Sequence, residues 1–174
     1  MNPVWNIQTG RLRLTPVSWN DLTDLIDLKG DPGVYAQMLG GIAGPHRVRD
    51  DLAFDTSFWA ARGVGMWMVR EQGAAIGLTG IHDRPDGRGL ALRFAFRPAA
   101  RGKGLAREAA GAALRFAHDW AGLDRVIAVA REGNIASRTL LGAIGMRPAE
   151  VFMRAEEQVY VYESRAAAPY EPQL

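Results

Sequence analysis

The chain switches between two hydrophobic rhythms, and the switches mark out its elements. In "RLRLTPV", from Arg11, alternate positions are apolar, the period of a half-buried strand. "SWNDLTDLIDLKG" then takes helical spacing, with Ser18 or Asn20 as cap and Gly30 as terminator. Asp31-Pro32 favours a second short helix, whereas the glycines of "GGIAGPH" predict a loop, a candidate lid. In "VRDDLAFDTSFWAARG" the spacing of Leu52, Phe54, Phe58, Trp59 and Arg62 predicts a helix that stops at Gly63. "MWMVREQGAAIGLTGIH" splits into two strands around a Gln72-Gly73 turn, and "DRPDGRG" turns the chain into "LALRFAFRP". Together these predict a meander of three antiparallel strands.

The second half opens with the clearest helix of the chain. Leu105, Ala109, Ala112, Ala113, Phe116 and Trp120 fall on one face of a helix beginning near Gly104. "RVIAVA" is a nearly continuous apolar run, as expected of a strand covered on both faces. "NIASRTLLGAIG" reads as a helix capped by Asn134 and stopped by Gly145. "MRPAEVFMR" and "QVYVYESR" finish as strands before a frayed tail, "AAAPYEPQL". Neither repeat nor linker interrupts this order, so one domain over 1–165 with a tail over 166–174 is expected.

Composition removes whole classes of function. A chain of 174 residues with 48% hydrophobic content can bury one core. Its 21 basic and 19 acidic residues leave a formal charge of +2, too balanced for nonspecific nucleic-acid binding, so no nucleic-acid partner is expected. The sequence has no cysteine, which excludes disulfides, thiolate metal sites and a cysteine acyl-enzyme; no metal is expected. The start lacks a signal-peptide pattern and no apolar run approaches a membrane span, so no membrane partner and a cytoplasmic location are expected. Nothing in the pattern sets the oligomeric state, and a homodimer is allowed.

The chemistry concentrates in "RFAFRPAARGKGLAREAA", between a strand and the clearest helix. Backbone N–H groups at a helix N-terminus, with the helix dipole, make a ready anion site. Gly102 and Gly104 let backbone approach a phosphate closely, while Arg101, Lys103 and Arg107 add positive charge. A nucleotide P-loop is ruled out, since no glycine precedes Gly102 at the required spacing and no Ser or Thr follows Lys103. A dinucleotide fingerprint fits poorly: Arg107 stands at its third glycine, and five residues separate strand from loop. Glu132, placed where a ribose-binding acid would be, keeps that reading open.

Arg101-x-x-Gly104-x-Ala106 resembles the [QR]-x-x-G-x-[GA] pyrophosphate loop of the GNAT superfamily of N-acyltransferases. "RLRLTPVSWNDL" with Asp31 resembles the start of its Rim-like branch, which acetylates ribosomal-protein N-termini and has relatives acting on small amines. "GNIASRTLLGAIGMRP" resembles that branch's later N-x-x-S-x-x-L-L-x-x-x-G-[FM]-x segment, with Asn134, Ser137, Leu140, Gly145 and Met146 in register. The resemblance implies an α/β (α+β) fold: a mixed, mostly antiparallel sheet of about six to seven strands, flanked by helices and splayed where the coenzyme enters. It implies acetyl-CoA as cosubstrate, held by the loop Arg101, Gly102, Lys103, Gly104, Leu105, Ala106 and Arg107. Asn134 and Ser137 are further implied contacts, as is the backbone of Phe94, Ala95 and Phe96, where a free strand edge would receive amides and polarise the thioester. The implied partner is a primary amine, on a small molecule or a protein N-terminus.

Structural roles compete for the same residues. Arg101 and Lys103 also suit solvated loop positions, Asn134 and Ser137 a simple helix cap, and Phe94 and Phe96 a core strand face. With no cysteine to carry the acyl group, direct attack by the amine in a ternary complex is expected. The family's two usual catalytic glutamate positions hold Ala91 and Val129, and the tyrosine acid of the ribosomal alanine type is replaced by Leu141. That leaves Ser137, to assist the departing thiolate, and His82 or Asp83 at a strand end, to act on the amine through water; His82, whose imidazole ordinarily titrates near neutrality, is the sharper candidate, and a strand-end turn histidine is its alternative. The same vacancies support a rival reading, a non-catalytic acyl-CoA-binding or regulatory module.

Overall fold

The computed structural model describes residues 3–167. Its strands are β1 (Ile7–Gln8), β2 (Leu12–Pro16), β3 (Met66–Glu71), β4 (Ala74–Asp83), β5 (Leu90–Phe96), β6 (Arg125–Arg131), β7 (Arg147–Arg154) and β8 (Glu157–Arg165). The helices are α1 (Leu22–Gly30), α2 (Pro32–Tyr35), α3 (Pro45–Arg62), α4 (Leu105–Asp119) and α5 (Ile135–Ala143). One sheet of eight strands runs in the order β1-β2-β3-β4-β5-β6-β8-β7. Every neighbouring pair is antiparallel except β5 and β6. This is the mixed, mostly antiparallel α/β architecture expected, with the two-residue β1 as the strand that the pattern did not reveal.

The middle of the sheet is covered on both faces while the edge strand β7 stays largely exposed, and each helix covers the face its apolar stripe dictates. Leu105, Ala109, Ala113, Phe116 and Ala117 of α4 pack on Trp67, Ile81, Leu92, Val126 and Ala128. Small alanines let α4 lie close to the strands, while Trp59, Trp67 and Phe116 fill the wider gap, with ring centroids 4.7 and 5.2 Å apart along that series. On the opposite face Leu25, Leu28, Val34, Tyr35, Val48 and Leu52 cover Met66, Met68, Leu78 and Ala95. "RVIAVA" is covered on both sides, with Val126 and Ala128 toward α4 and Ile127 against Ala91 and Val161.

Two expected helix-face positions need correction. Trp120 is 72% exposed, because α4 ends at Asp119 and the chain turns away before that residue can reach the core. Phe54 is 56% exposed, resting beside Phe58 with ring centroids 5.9 Å apart on the outer side of α3. Ser18, not Asn20, caps the chain's turn into α1: Asp21 Oδ2 accepts from both the Ser18 N–H and Oγ, at 2.8 and 2.9 Å. A 3₁₀ turn over Trp19–Asp21 separates that cap from α1. Of the expected tail, residues 168–174 lie outside the described residues; before them the Ala166 N–H donates to the Asp124 carbonyl at 2.9 Å.

Candidate functional site

Strands β5 and β6 run parallel but share a single register pair, Ala91 with Ile127. Past that pair they diverge, so the backbone of Phe94 to Phe96 is paired to β4 on one side and, among the described residues, has no strand neighbour on the other, where only the Phe96 carbonyl is engaged, by Arg101. Directly after β5 comes the glycine loop. Gly102 and Gly104 both adopt φ of +74°, and a side chain would find free space at Gly102 and ordinary contact at Gly104, 3.6 Å from Arg11. Glycine is therefore required by the backbone rather than by crowding, and it leaves the loop's outer surface open. The N–H groups from Gly102 to Arg107 find no backbone acceptor among the described residues. An exposed row of donors at the start of a helix is what a pyrophosphate needs.

The loop's shape is set by a network that the sequence did not disclose. Glu108, in the first turn of α4, accepts from Thr9 Oγ1 at 2.5 Å, from the Arg11 N–H at 3.0 Å and from Arg11 Nε at 2.7 Å. Arg11 also donates to the Lys103 carbonyl at 2.8 Å. Burial pushes the Glu108 carboxyl up, but the hydrogen bonds from Thr9 and Arg11 outweigh it and hold it low. Arg101 is likewise occupied: its guanidinium donates to the carbonyls of Gly33 and Phe96, tying the start of α2 to the end of β5. Lys103 and Arg107 are left exposed at the rim, Leu105 is fully buried under the loop and Ala106 is half-buried.

A cavity opens where β5 and β6 part, roofed by α2 and residues 37–43. It brings together His82, Phe94, Asn134 and Ser137 of the sequence-based candidates. The loop residues 101–107 are not among its lining; Gly104 and Arg107 instead border an open groove on the outer side of α4. Ala95 points to the other core, under α1 to α3. Asn134 caps α5, its Oδ1 accepting from the Ser137 N–H at 3.1 Å. That leaves the Ser137 hydroxyl at the cavity with no partner among the described residues. Arg138 fixes α5 to the sheet by donating to Tyr162 Oη at 3.3 Å and lying 4.0 Å over the Tyr160 ring.

Apolar residues occupy the vacant family positions. Ala91 is fully buried, Leu141 is 1% exposed against the cavity wall and Val129 lines it. His82 is half-buried and its Nδ1 lies 3.1 Å from the Asp83 carbonyl, which fixes the proton on Nδ1 and leaves Nε2 as an acceptor. Burial, and then the Arg93 charge, lower its pKa to about 3. The near-neutral titration expected for this histidine is therefore absent: the ring stays neutral. Sequence reasoning missed Tyr35, Arg93 and Asp55. Burial raises the Asp55 carboxyl to about 6, against the pull of Lys29 and Arg93.

The Acetyltransferase (GNAT) domain model matches residues 11–147, most of the chain. The protein belongs to the GNAT acetyltransferase family. Among solved GNAT-fold structures, a GnaT-family acetyltransferase from Bordetella pertussis superposes with a TM-score of 0.80 at 23% identity, covering 92% of this chain and 99% of that one. An acetyltransferase from Agrobacterium tumefaciens str. C58 gives 0.80 at 24% identity, covering 92% and 94%. A RimL ribosomal L7/L12 α-N-protein acetyltransferase in complex with coenzyme A gives 0.76 at 14% identity, covering 92% and 98%. At these identities the superpositions establish the GNAT fold, in which the parted strands and the glycine loop of this chain take part.

Proposed function

We propose that the protein is an N-acetyltransferase that moves an acetyl group from acetyl-CoA to a primary amine by direct attack, both substrates being bound at once. The observation that carries this reading is the parting of β5 from β6 after Ala91 and Ile127, beside a loop of free N–H donors. The cosubstrate fits that geometry. Its pyrophosphate suits the N–H groups of Gly102 to Arg107, and its amide-bearing arm suits the free edge of Phe94 to Phe96. Arg131, whose Nε is buried without a hydrogen-bond partner, borders the same slot and offers a further donor.

When bound, acetyl-CoA supplies an activated thioester; the chain's residues do the rest. Backbone N–H groups of β5 polarise the carbonyl as the amine attacks. The Ser137 hydroxyl stands free at the cavity to donate to the departing thiolate. His82 Nε2 accepts a hydrogen bond from the amine and orients it, while a proton acceptor as weak as a pKa of about 3 leaves the net proton to water. An α-amino group, with a reference pKa of about 7.7 to 8.0, gives up its proton far more readily than a lysine at about 10.4. The acceptor class is thereby narrowed toward α-amines, protein N-termini or small molecules.

The apolar residues at 91, 129 and 141 favour one rival, a module that binds acyl-CoA without transferring it. Coenzyme A release measured over a panel of N-terminal peptides, free amino acids and aminoglycosides separates the two. Turnover on at least one amine is expected. A protein whose thermal midpoint rises with acetyl-CoA, more than with NAD or ATP, yet which transfers to no amine would be the binding module. Equal stabilisation by NAD would defeat both readings.

A further inference from the structure

Besides the Ser137 hydroxyl and Arg131 Nε, the cavity holds two polar groups without a partner among the described residues. Arg93 sits mid-strand in β5 and projects to the face covered by α2 and α3, between Ala91 and Ala95. Opposite it in β4 is Gly80, which adds no side chain. A guanidinium in the middle of a covered sheet is costly unless it is paired. Arg93 is half-buried, and among the described residues its guanidinium meets neither a carboxylate within ion-pair distance nor a hydrogen-bond acceptor. Tyr35 is 4% exposed, and its hydroxyl has no partner. Both groups line the cavity that Phe94 and Ser137 also line.

Most of the other charges around them are already engaged. Asp51 holds Lys29 at 2.6 Å, Arg84 pairs with Asp86, Arg47 donates to the Gly40 carbonyl at 2.8 Å, and Arg131 reaches Glu157 at 3.1 Å. Asp55 stands near enough to feel Arg93 but does not pair with it. One free guanidinium fork and one free phenol hydroxyl match a single planar carboxylate, with two bonds from the fork and a third from the hydroxyl. A phosphate dianion would be repelled by the Asp51 carboxylate on the cavity wall more strongly than a singly charged carboxylate is, which disfavours it.

Resting on the N-acetyltransferase reading, we propose that the acceptor amine carries a carboxylate, received by Arg93 and Tyr35 so that its amine faces the thioester slot. That carboxylate comes either from a free amino acid or from an acidic residue at a peptide N-terminus.

Two matched pairs separate these sources: alanine against alaninamide, and Asp-Ala-Ala-amide against Asn-Ala-Ala-amide. Each is titrated calorimetrically into the protein with coenzyme A present, and each is assayed with acetyl-CoA. In at least one pair the carboxylate member is expected to bind and react at least about tenfold better. Arg93→Gln should abolish that preference through the acceptor KM while leaving the dissociation constant for acetyl-CoA unchanged, and Arg93→Lys should keep part of it. Tyr35→Phe should leave the empty protein at least as heat-stable as the wild type, since it removes an unpaired hydroxyl, yet weaken carboxylate binding severalfold. Indifference to the carboxylate in both pairs, a preference that survives Arg93→Gln, or tighter binding of phosphoethanolamine than of either carboxylate would overturn the proposal. If acetyl-CoA still raises the thermal midpoint in such a case, the acetyltransferase reading stands without it. Should acetyl-CoA fail to bind, that reading falls instead, and carboxylate titration of the coenzyme-free protein decides the acceptor proposal by itself.

Discussion

Ser137 and His82 both face the cavity, but their surroundings differ, and so do the roles proposed for them. Ser137 has its N–H spent on the Asn134 cap and its hydroxyl free, so it can follow charge as it develops on a leaving group. His82 has Nδ1–H tied to a carbonyl and a pKa of about 3, so its Nε2 can accept a hydrogen bond but does not take up a second proton at neutral pH. Ser137→Ala is therefore expected to lower kcat by less than about 10²-fold with acetyl-CoA affinity retained, below the usual range for a general acid. His82→Ala should raise the acceptor KM more than it lowers kcat and should leave any rate inflection near neutral pH in place. Steady-state kinetics across pH on both variants test this. A loss of the inflection with His82 would show that the imidazole is the base after all.

At the scale of elements, the loop between β5 and α4 is where pattern and geometry meet. Both glycines stand in a left-handed backbone that costs other residues about 1 to 2 kcal/mol, and Gly104 has room for a side chain with no clash. Gly104→Val should consequently fold, with a modestly lower thermal midpoint, while its isopropyl group stands over the donor row and weakens coenzyme A binding by more than about tenfold. Calorimetric titration checks it, and unchanged affinity in the folded variant would show that the phosphates sit elsewhere. This loop was legible because strand, glycines, basic residues and amphipathic helix follow one another directly in the chain. Its clamp was not: Thr9 and Arg11 reach Glu108 across 99 and 97 positions, a distance at which neither periodicity nor spacing carries information. Arg93 was legible only as one beat of an alternating strand, because α2 and α3, which leave it half-buried, arrive from the other end of the sequence. Phe54 and Trp120 failed for the opposite reason, since a helical stripe fixes direction around the axis but not how far the covering surface extends.

For the molecule as a whole, two half-buried groups set opposed pH dependences of stability. Asp55 has its pKa raised from 3.8 to about 6, so the folded state holds its proton where the unfolded chain has released it. Its contribution is favourable below about 3.8 and is lost as pH rises toward 6. For His82 the pKa falls from 6.5 to about 3, so the unfolded chain binds the extra proton, and its contribution is full above 6.5 and lost as pH falls toward 3. Between about 4 and 6 the two slopes oppose each other in the wild type. Asp55→Asn should uncover the histidine slope: relative to wild type it should be nearly neutral at pH 3.5 and more stable by about 1 to 3 kcal/mol at pH 7. His82→Gln should uncover the other slope, gaining on the wild type as pH drops below 6.5. Paired carboxylates do not blur the comparison, because Asp86 and Glu163, held low chiefly by hydrogen bonds from Arg84 and Arg125, are present in all three proteins and cancel in the differences. Denaturant unfolding at half-unit intervals from pH 3.5 to 7.5 resolves both trends. A difference between Asp55→Asn and wild type that stays flat over that range would mean that water reaches Asp55 freely, and that the helices over Arg93 do not exclude solvent from that side of the cavity.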